Sequence, residues 1–546
     1  MRLNPWRQVV LGTTLLLFVF PLLPALLGVV APAVGYLPEI GLSQLSIDGF
    51  VQALMWPGAL KAIGRGLFVG IASTALSVML AALIIERYRF TPQWQRVTRW
   101  LTPILALPHT ALAIGMVMLL APTGLLARLI APLPLPLLTQ DGLNLGLILT
   151  LVLKELPFVL LMSLTILARM NLASYAAIGA SLGYRHQQVW RLLLLPQWLR
   201  AMRYPIFAVI AFSVTNVEVA FIIGSQRPPT FAVMVWQWFN DPDLATFSRA
   251  AAGAVLLCIN AAIALMVWIG VEKGLVQLIN HRAIGGKRRH LPIAPVGLRY
   301  ILLAPLLVLI PLLIWTLAQR WPFPQVWPET TSLRFWSQEL PYLLPVLLTS
   351  LKIAIFATVF ALVAISLLFE MGKSLSMWLI CLPLVAPQLS LLFGMQVIAY
   401  QVAPQWHFTW VVWAHIVFIF PYVYLSLRPH WESLDPRLAQ TGASLGLSPL
   451  RVWWKIKFPL LLPALIVAFG LGISVSLALY LPTQMLGAGR INTITTEAVA
   501  LVGGSDRRVS AIYALLQGLL PLLVFFLALQ GQKAVSRRHQ PKEAIA

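Results

Sequence analysis

The stretch GASLGYRHQQVWRLLLLP at residues 179–196 returns as GASLGLSPLRVWWKIKFP at residues 442–459, with eight identities in eighteen positions and a constant offset of 263. Apolar composition alone does not produce such a match, so we interpret the two stretches as one element of an internal repeat. Weaker matches keep the same order along the chain, namely PHTALAIGM at 108–116 with PQLSLLFGM at 387–395, and Leu156-Pro157-Phe158 with Phe420-Pro421-Tyr422.

The segments around both copies are strongly apolar. Of the 546 residues, 59% are hydrophobic and 10% are charged, and the mean hydropathy is +0.84. Soluble domains are about a quarter charged, so this chain belongs in a membrane. Segments of about 20 apolar residues, each long enough to cross a membrane as a helix, recur throughout. We predict twelve spans, at residues 9–31, 59–85, 101–121, 143–167, 204–224, 250–272, 299–318, 343–369, 375–402, 408–428, 460–484 and 508–530.

The net charge of +22 reports topology and contact with anionic lipid, and it does not indicate nucleic-acid binding. With the N-terminus in the cytoplasm, 27 of the 39 Lys and Arg residues fall on cytoplasmic segments, 11 fall at the other face, and Lys154 lies inside a span. This is the positive-inside pattern. We therefore predict a multi-pass protein of the bacterial inner membrane with both termini in the cytoplasm. The basic loops are 86–100, 168–203, 273–299, 429–459 and the C-terminal tail.

The repeated stretch lies in a predicted cytoplasmic loop in both copies, so an even number of spans separates the copies and the repeats run parallel. The fold expected is an all-α integral membrane protein with two parallel six-helix repeats. We predict a first domain at residues 1–280 (core about 58–280) and a second at 299–546 (core about 340–533). The basic stretch 281–298 is the predicted linker between them.

The segment GASLG is small and partly apolar, which is unusual for a loop between spans. Small side chains let a short helix lie close to a partner surface, and Gly183 and Gly446 suit the left-handed turn that ends such a helix. Pro196 and Pro459 follow thirteen residues later, near the start of the next span, where a missing N–H costs little. We predict a short docking helix, a turn and a span in each copy. The alternative is that GASLG packs only against its own chain.

At these positions the chain resembles the permease subunits of binding-protein-dependent ABC importers, whose signature is EAA, three residues, Gly, nine residues, Ile, one residue and Leu-Pro. In the second copy Gly446, Ile456 and Pro459 match, and Phe458 replaces the Leu. In the first copy Gly183 and Pro196 match, with Leu193 and Leu195 at the Ile and Leu positions. The layout is most similar to the fused two-domain permeases of the ferric-iron and thiamine uptake type.

The chain departs from the signature at its acidic residue. The family Glu falls on Ala177 and Gln440. Neither residue is acidic, so this chain has no carboxylate at that position to contact the ATPase. By resemblance, the residues assigned to ATPase coupling are Ala177, Gly179, Ala180, Ser181, Leu182, Gly183 and Pro196 in the first copy, and Gln440, Gly442, Ala443, Ser444, Leu445, Gly446, Ile456 and Pro459 in the second.

The resemblance implies a division of labour between several chains. Two copies of a cytoplasmic ATPase would bind, one to each GASLG helix, and a periplasmic solute-binding protein would deliver the solute to the opposite face. The sequence has no G-x-x-x-x-G-K-[ST] phosphate loop, so we expect a transport subunit without enzymatic activity or cofactor. ATP binding would close the ATPases and rock the two halves in an alternating-access cycle.

Ionisable residues at membrane depth are candidates for the transport pathway, because burying them is costly without a function or partner. Lys154 and Glu155 are adjacent, so on a helix they point about 100° apart and we do not expect them to pair. Glu218 follows Asn216, and it is either a pathway residue or a carboxylate that reaches the headgroup region. We interpret His109 and His415 as hydrogen-bonded helix residues.

Two other function classes are weighed against the importer. A secondary transporter with two six-helix repeats, driven by protons or sodium, would also give twelve spans. The loop at 86–100 lacks the Gly-x-x-x-Asp-Arg pattern of the major facilitator family, and acids in the spans are few. A scaffold or a membrane enzyme is the other class. No arrangement of nucleophile, base or metal ligands in the sequence supports it, and the two cysteines, Cys258 and Cys381, form no metal-ligand pattern. For the substrate, a cationic vitamin, a metal chelate and an oxyanion all remain open.

Overall fold

The computed structural model describes residues 12–14, 18–38, 41–133, 136–243, 246–284, 296–504 and 506–539. We call the part up to residue 284 the first half and the part from residue 296 the second half. In the first half the helices are α1 (Phe20–Ala33), α2 (Asp48–Met55), α3 (Ala59–Tyr88), α4 (Trp94–Leu105), α5 (His109–Leu120), α6 (Leu125–Ile130), α7 (Leu145–Arg169), α8 (Leu172–Ser181), α9 (His186–Val189), α10 (Leu195–Ala201), α11 (Arg203–Thr215), α12 (Glu218–Ile223), α13 (Phe231–Phe239) and α14 (Phe247–Ile284).

The second half opens with a 3-10 segment, Val296–Leu303. Its helices are α15 (Ala304–Leu307), α16 (Leu309–Leu317), α17 (Arg334–Glu370), α18 (Met377–Val385), α19 (Gln388–Val402), α20 (His407–Glu432), α21 (Pro436–Ser444), α22 (Pro449–Val452), α23 (Phe458–Ala478), α24 (Leu481–Gly487), α25 (Ile494–Ala500) and α26 (Arg507–His539). A π turn precedes α10 at Trp190–Leu194 and another precedes α23 at Trp453–Lys457, and a short 3-10 segment at Leu501–Gly503 follows α25.

Two antiparallel hairpins are the sheet structure of the described residues. Strands β1 (Tyr36–Leu37) and β2 (Leu42–Ser43) pair Tyr36 with Ser43, and strands β3 (Ala318–Arg320) and β4 (Thr330–Thr331) pair Ala318 with Thr331. Each hairpin follows an apolar helix near the start of its half, α1 or α16. These two helices also pack against the other half, because α1 contacts α19 and α16 contacts α5.

Nine helices in the described ranges are long and apolar enough to cross a membrane, or ten if the bent pair of α18 and α19 forms one span. The protein is therefore an all-helical membrane protein, but the predicted number of twelve spans is not confirmed. The predicted span at 204–224 is divided into α11 and α12, of 13 and 6 residues. Parts of the predicted span 9–31 and residues 285–295 of the predicted linker lie outside the described residues.

In the described ranges, four predicted spans contain two or more consecutive non-helical residues where the sequence suggested continuous helices. The predicted span 101–121 breaks before Pro108, and the predicted span 375–402 bends by 98° before Gln388. Proline disfavours helical geometry in the residue before it, which explains both breaks. The predicted spans 204–224 and 460–484 break at residues 216–217 and 479–480, which are related by the repeat offset. Non-helical backbone at membrane depth is tolerated where it is buried in protein or lines a cavity.

Candidate coupling surface and membrane site

Helix α8 ends in the left-handed turn that the sequence predicts at Gly183. Gly183 has φ +76°, and its N–H donates to the Ala180 carbonyl at 2.9 Å. The N–H of Tyr184 donates to the Gly179 carbonyl at 2.8 Å. This pair of bonds is the Schellman motif, in which glycine avoids the steric cost of a positive φ.

Helix α21 ends in the same motif. Gly446 has φ +81°, and its N–H donates to the Ala443 carbonyl at 3.0 Å. The N–H of Leu447 donates to the Gly442 carbonyl at 3.1 Å. The two GASLG copies therefore form short helices that end identically, which confirms the predicted turns.

The close packing of GASLG against its own chain is at its first glycine. A Cβ at Gly442 would lie 2.6 Å from Ile456 Cδ1 and 3.2 Å from Val452 Cγ2, whereas a Cβ at Gly446 would meet no atom within 4 Å. In the first half, a Cβ at Gly179 would collide with Val189. One face of each helix thus packs on its own chain.

Most of the remaining surface of each short helix is exposed. Leu182 and Leu445, three residues after the packed glycines, are 56% and 76% exposed. Ala177 and Gln440, at the positions of the missing family Glu, are also exposed. The other exposed members of the two predicted sets are Ala180, Ser181 and Gly183, and Ala443, Ser444 and Gly446.

A π turn and a proline connect each GASLG helix to the next apolar helix. Pro196 is buried at the second position of α10, and Pro459 is half-buried at the second position of α23. A proline ring clashes with the carbonyl four residues earlier. In both halves that carbonyl lies in the π turn, whose wider winding gives the ring room. Ile456, also half-buried, lies in the second π turn.

Each π turn also makes an ion pair that the sequence analysis missed. In the first half, Arg191 binds Glu86 through two hydrogen bonds, both of 2.7 Å. In the second half, the Lys457 ammonium donates to both carboxylate oxygens of Glu370, at 2.9 and 2.7 Å. Glu86 and Glu370 are acids at the C-terminal ends of long apolar helices. That position is the signal that could have identified them.

In the spans, Lys154 and Glu155 contact different groups, as their helical spacing predicts. The Lys154 ammonium donates to the carbonyl of Leu105, at 2.9 Å, and also to the carbonyl of Leu107. Glu155 lies 3.4 Å from Nε2 of His109. Both side chains therefore hold the break between α4 and α5.

Asn216 and Glu218 lie at the break between α11 and α12. The Asn216 side chain accepts a hydrogen bond of 2.8 Å from the backbone N–H of Val219. The Glu218 carboxylate lies near the backbone N–H groups of Tyr480 and Leu481 in the second half. Leu481 is the repeat counterpart of Glu218, so the two helix breaks meet across the interface between the halves. Glu218 is buried, which does not fit a carboxylate that reaches the headgroups.

His415 holds the corresponding break of the second half. Its Nδ1 lies 2.7 Å from Ser476 Oγ on α23, and its Nε2 lies 2.9 Å from Thr483 Oγ1 on α24. The prediction that His415 is a hydrogen-bonded helix residue is confirmed. Its partners could not be assigned from the sequence, because they lie on both sides of an unforeseen break.

A partly accessible face lies between the halves near Glu155. Tyr422 is 40% exposed although its neighbours along the middle of α20 are buried, and it is close enough to Glu155 for an electrostatic interaction. The His109 side chain is 29% exposed, and its ring centroid lies 4.6 Å from that of Phe212. Carboxylate, imidazole, phenol and aromatic groups thus converge on one region. Among the described residues there is no group of three or more potential metal ligands of the His, Cys, Asp and Glu types.

The chain is 31% identical over 511 residues to the inner membrane ABC transporter permease protein YnjC of Escherichia coli (strain K12), and the match covers 93% of each chain. The chain belongs to the ABC transporter permease family. The permease also matches, over a shorter stretch, the spermidine/putrescine transport system permease protein PotC homolog of Mycoplasma genitalium. The identity is 31% over 87 residues, which are 16% of this chain and 30% of the relative. No protein-family model matches the permease. As a family member it is a membrane transport subunit, and its E. coli relative is an inner-membrane protein.

Proposed function

We propose that this permease is the membrane-spanning subunit of an ABC importer, which moves a small solute across the bacterial inner membrane by alternating access. Two permease domains, residues 1–280 and 299–546, would form the path, and the linker 281–298 would join them in the cytoplasm. The repeated GASLG geometry and the reciprocal packing of α1 and α16 support this division. Both termini would be cytoplasmic, and lipid would surround the apolar spans.

The observation that carries the proposal is the pair of matching exposed helices. Helices α8 and α21 each end in a Schellman turn, pack one face on their own chain and leave the other face uncovered. We assign one copy of a cytoplasmic ATPase to each helix. Because Ala177 and Gln440 carry no charge, contact would depend on small residues and on Leu182 and Leu445 rather than on an acidic group.

The mechanical connection from ATPase to membrane follows from local structure. The first glycine of each GASLG helix packs on the following segment, and that segment continues through the π turn and proline into α10 or α23. Closure of the two ATPases would draw α8 and α21 together. Packed helices switch between discrete arrangements and do not deform continuously, so the two halves would rock as bodies.

The candidate translocation site lies between the halves, where Glu218, Asn216, Lys154 and Glu155 hold helix breaks. Discontinuous helices at membrane depth commonly form substrate sites in transporters. Glu218 lies near the backbone of Tyr480 and Leu481 in the other half, so movement of the halves would change this contact. A periplasmic solute-binding protein would deliver the solute to the face opposite the coupling helices.

The test is isolation of the permease through an affinity tag from its native membrane. We expect an ATP-hydrolysing partner to co-purify, and we expect the isolated permease chain without this partner to show no ATP binding. Solute transport by the reconstituted chain alone, driven by a proton or sodium gradient, would contradict the proposal and favour a secondary transporter.

A further inference from the structure

We propose that the ion pairs Arg191–Glu86 and Lys457–Glu370 are struts that transmit movement of the coupling helices into the membrane helices α3 and α17. The inference rests on the proposed function, because it assumes that α8 and α21 contact an ATPase. The residues are positioning residues, and none of them is proposed to contact the solute or ATP.

The location of the carboxylates is the first argument. Glu86 lies in the last turn of α3, and Glu370 is the last residue of α17. A negative charge near a helix C-terminus is unfavourable, because the helix dipole places partial negative charge there. Glu86 is also buried, with 6% of its surface exposed. The buried Glu86 therefore requires its cation, and in both halves the ion pair holds the cation at the end of the helix.

The second argument is that the two pairs use different repeat positions. At the offset of 263, Arg191 corresponds to Trp454, and Lys457 corresponds to Leu194. The cation thus stands near the start of the π turn in the first half and at its end in the second. A contact inherited only through the repeated sequence would use equivalent residues. The same two elements are instead joined by different residues, which indicates that the connection itself matters.

The third argument is the packing beyond each strut. Helix α3 packs against α7, which carries Glu155, and α17 packs against α20, which carries Tyr422. Each strut therefore connects the segment after a coupling helix to a helix one layer from the candidate translocation site. The first strut adds a charged contact to the packing of α9 on α3 and of the π turn on α14, and each strut adds one to the continuation of the chain into α10 or α23.

The two struts differ in burial, and this determines which variants are informative. In the Lys457–Glu370 pair the side chains are 27% and 29% exposed. Exposed pairs contribute little to stability, so Lys457→Gln should leave the fold intact. Removing Arg191 alone would leave Glu86 buried and unpaired, which is strongly destabilising. The first strut is therefore tested with the neutral double variant Glu86→Gln/Arg191→Gln.

The experiment uses the permease–ATPase complex, isolated through a tag on the permease and placed in lipid nanodiscs. Tyr422→Cys is the reporter of the inter-half region, in a background where Cys258 and Cys381 are replaced by serine. The rate of labelling by N-ethylmaleimide is measured with and without ATP and vanadate. The matched control is Arg428→Gln, which removes a pair with Glu432 of 2.6 Å between residues four apart in the single helix α20.

We expect ATP and vanadate to change the labelling rate in the parent and in Arg428→Gln. Lys457→Gln and Glu86→Gln/Arg191→Gln should keep the ATPase and its hydrolysis but lose this change, and Lys457→Arg should restore it. A parental change in both strut variants would overturn the proposal. Loss of the ATPase from Lys457→Gln would also overturn it, since Lys457 would then belong to the docking surface. Absence of an ATPase from the parental preparation would instead defeat the proposed function.

Discussion

Replacing Gly446 by alanine isolates the conformational demand of the turn that ends α21. Gly446 has φ +81°, and a Cβ there would meet no atom of the chain within 4 Å. The substitution therefore adds strain without a clash. A residue with a side chain pays about 1–2 kcal/mol in the left-handed region. The equilibrium constant for forming the intact turn would therefore fall about 5- to 30-fold.

The assay is the affinity of the detergent-solubilised permease for its ATPase. If only the intact turn presents α21, the apparent affinity falls with the fraction of permease that has it. We therefore expect Gly446→Ala to weaken ATPase binding by up to about the same factor, depending on how stable the turn is in the parent. Gly446→Asn should lose less, because asparagine adopts the left-handed region more readily than alanine.

The matched control is Gly41→Ala, in the hairpin between β1 and β2. Gly41 has φ +85° and also meets nothing within 4 Å, so the strain is the same but the position is remote in sequence from the coupling helices. ATPase affinity should stay at the parental value. Parental affinity in Gly446→Ala would refute the reasoning. An equal loss in the alanine and asparagine variants would also refute it. In that case any side chain at this position, and not the strain of the turn, would block ATPase binding.

Three further results are expected. Gly442→Ala should reduce ATP-dependent transport, because the new Cβ would lie 2.6 Å from Ile456 Cδ1. Adding Ile456→Val removes that atom and should restore transport. No recovery in the double variant would contradict the close packing at Gly442. Glu218→Gln should change uptake of the solute while ATPase assembly is retained, and normal uptake would remove Glu218 from the pathway. Cysteines placed in the linker 281–298 should be labelled only from the cytoplasm, and periplasmic labelling would overturn the topology.

The features that sequence could predict are those set by local chemistry. Long apolar segments gave most of the membrane helices, and the positions of Gly183 and Gly446 gave the left-handed helix ends. The sequence could not show which face of GASLG is covered, since both of its glycines are equally small. Only the structure shows that Gly179 and Gly442 are the tightly packed glycines.

The helix breaks and the contacts between distant residues cannot be predicted from the sequence. A hydropathy window averages over the two residues of the break at 216–217, so α11 and α12 were predicted as one span. The ion pairs join residues that are 105 and 87 positions apart, and no local pattern encodes such a pairing. The proximity of Glu218 to the backbone of Leu481 likewise depends on how the two halves dock.

Site-specific photo-cross-linking from the coupling helices tests the central claim most directly. A benzophenone side chain would replace Leu182, which is 56% exposed, or Leu445, which is 76% exposed. Leu340 on α17, also 56% exposed, is the control position. Irradiation of native membranes should join the permease covalently to an ATP-binding polypeptide from both coupling positions and not from Leu340. The absence of such an adduct from both Leu182 and Leu445 would contradict the assignment of α8 and α21 as the ATPase-coupling helices.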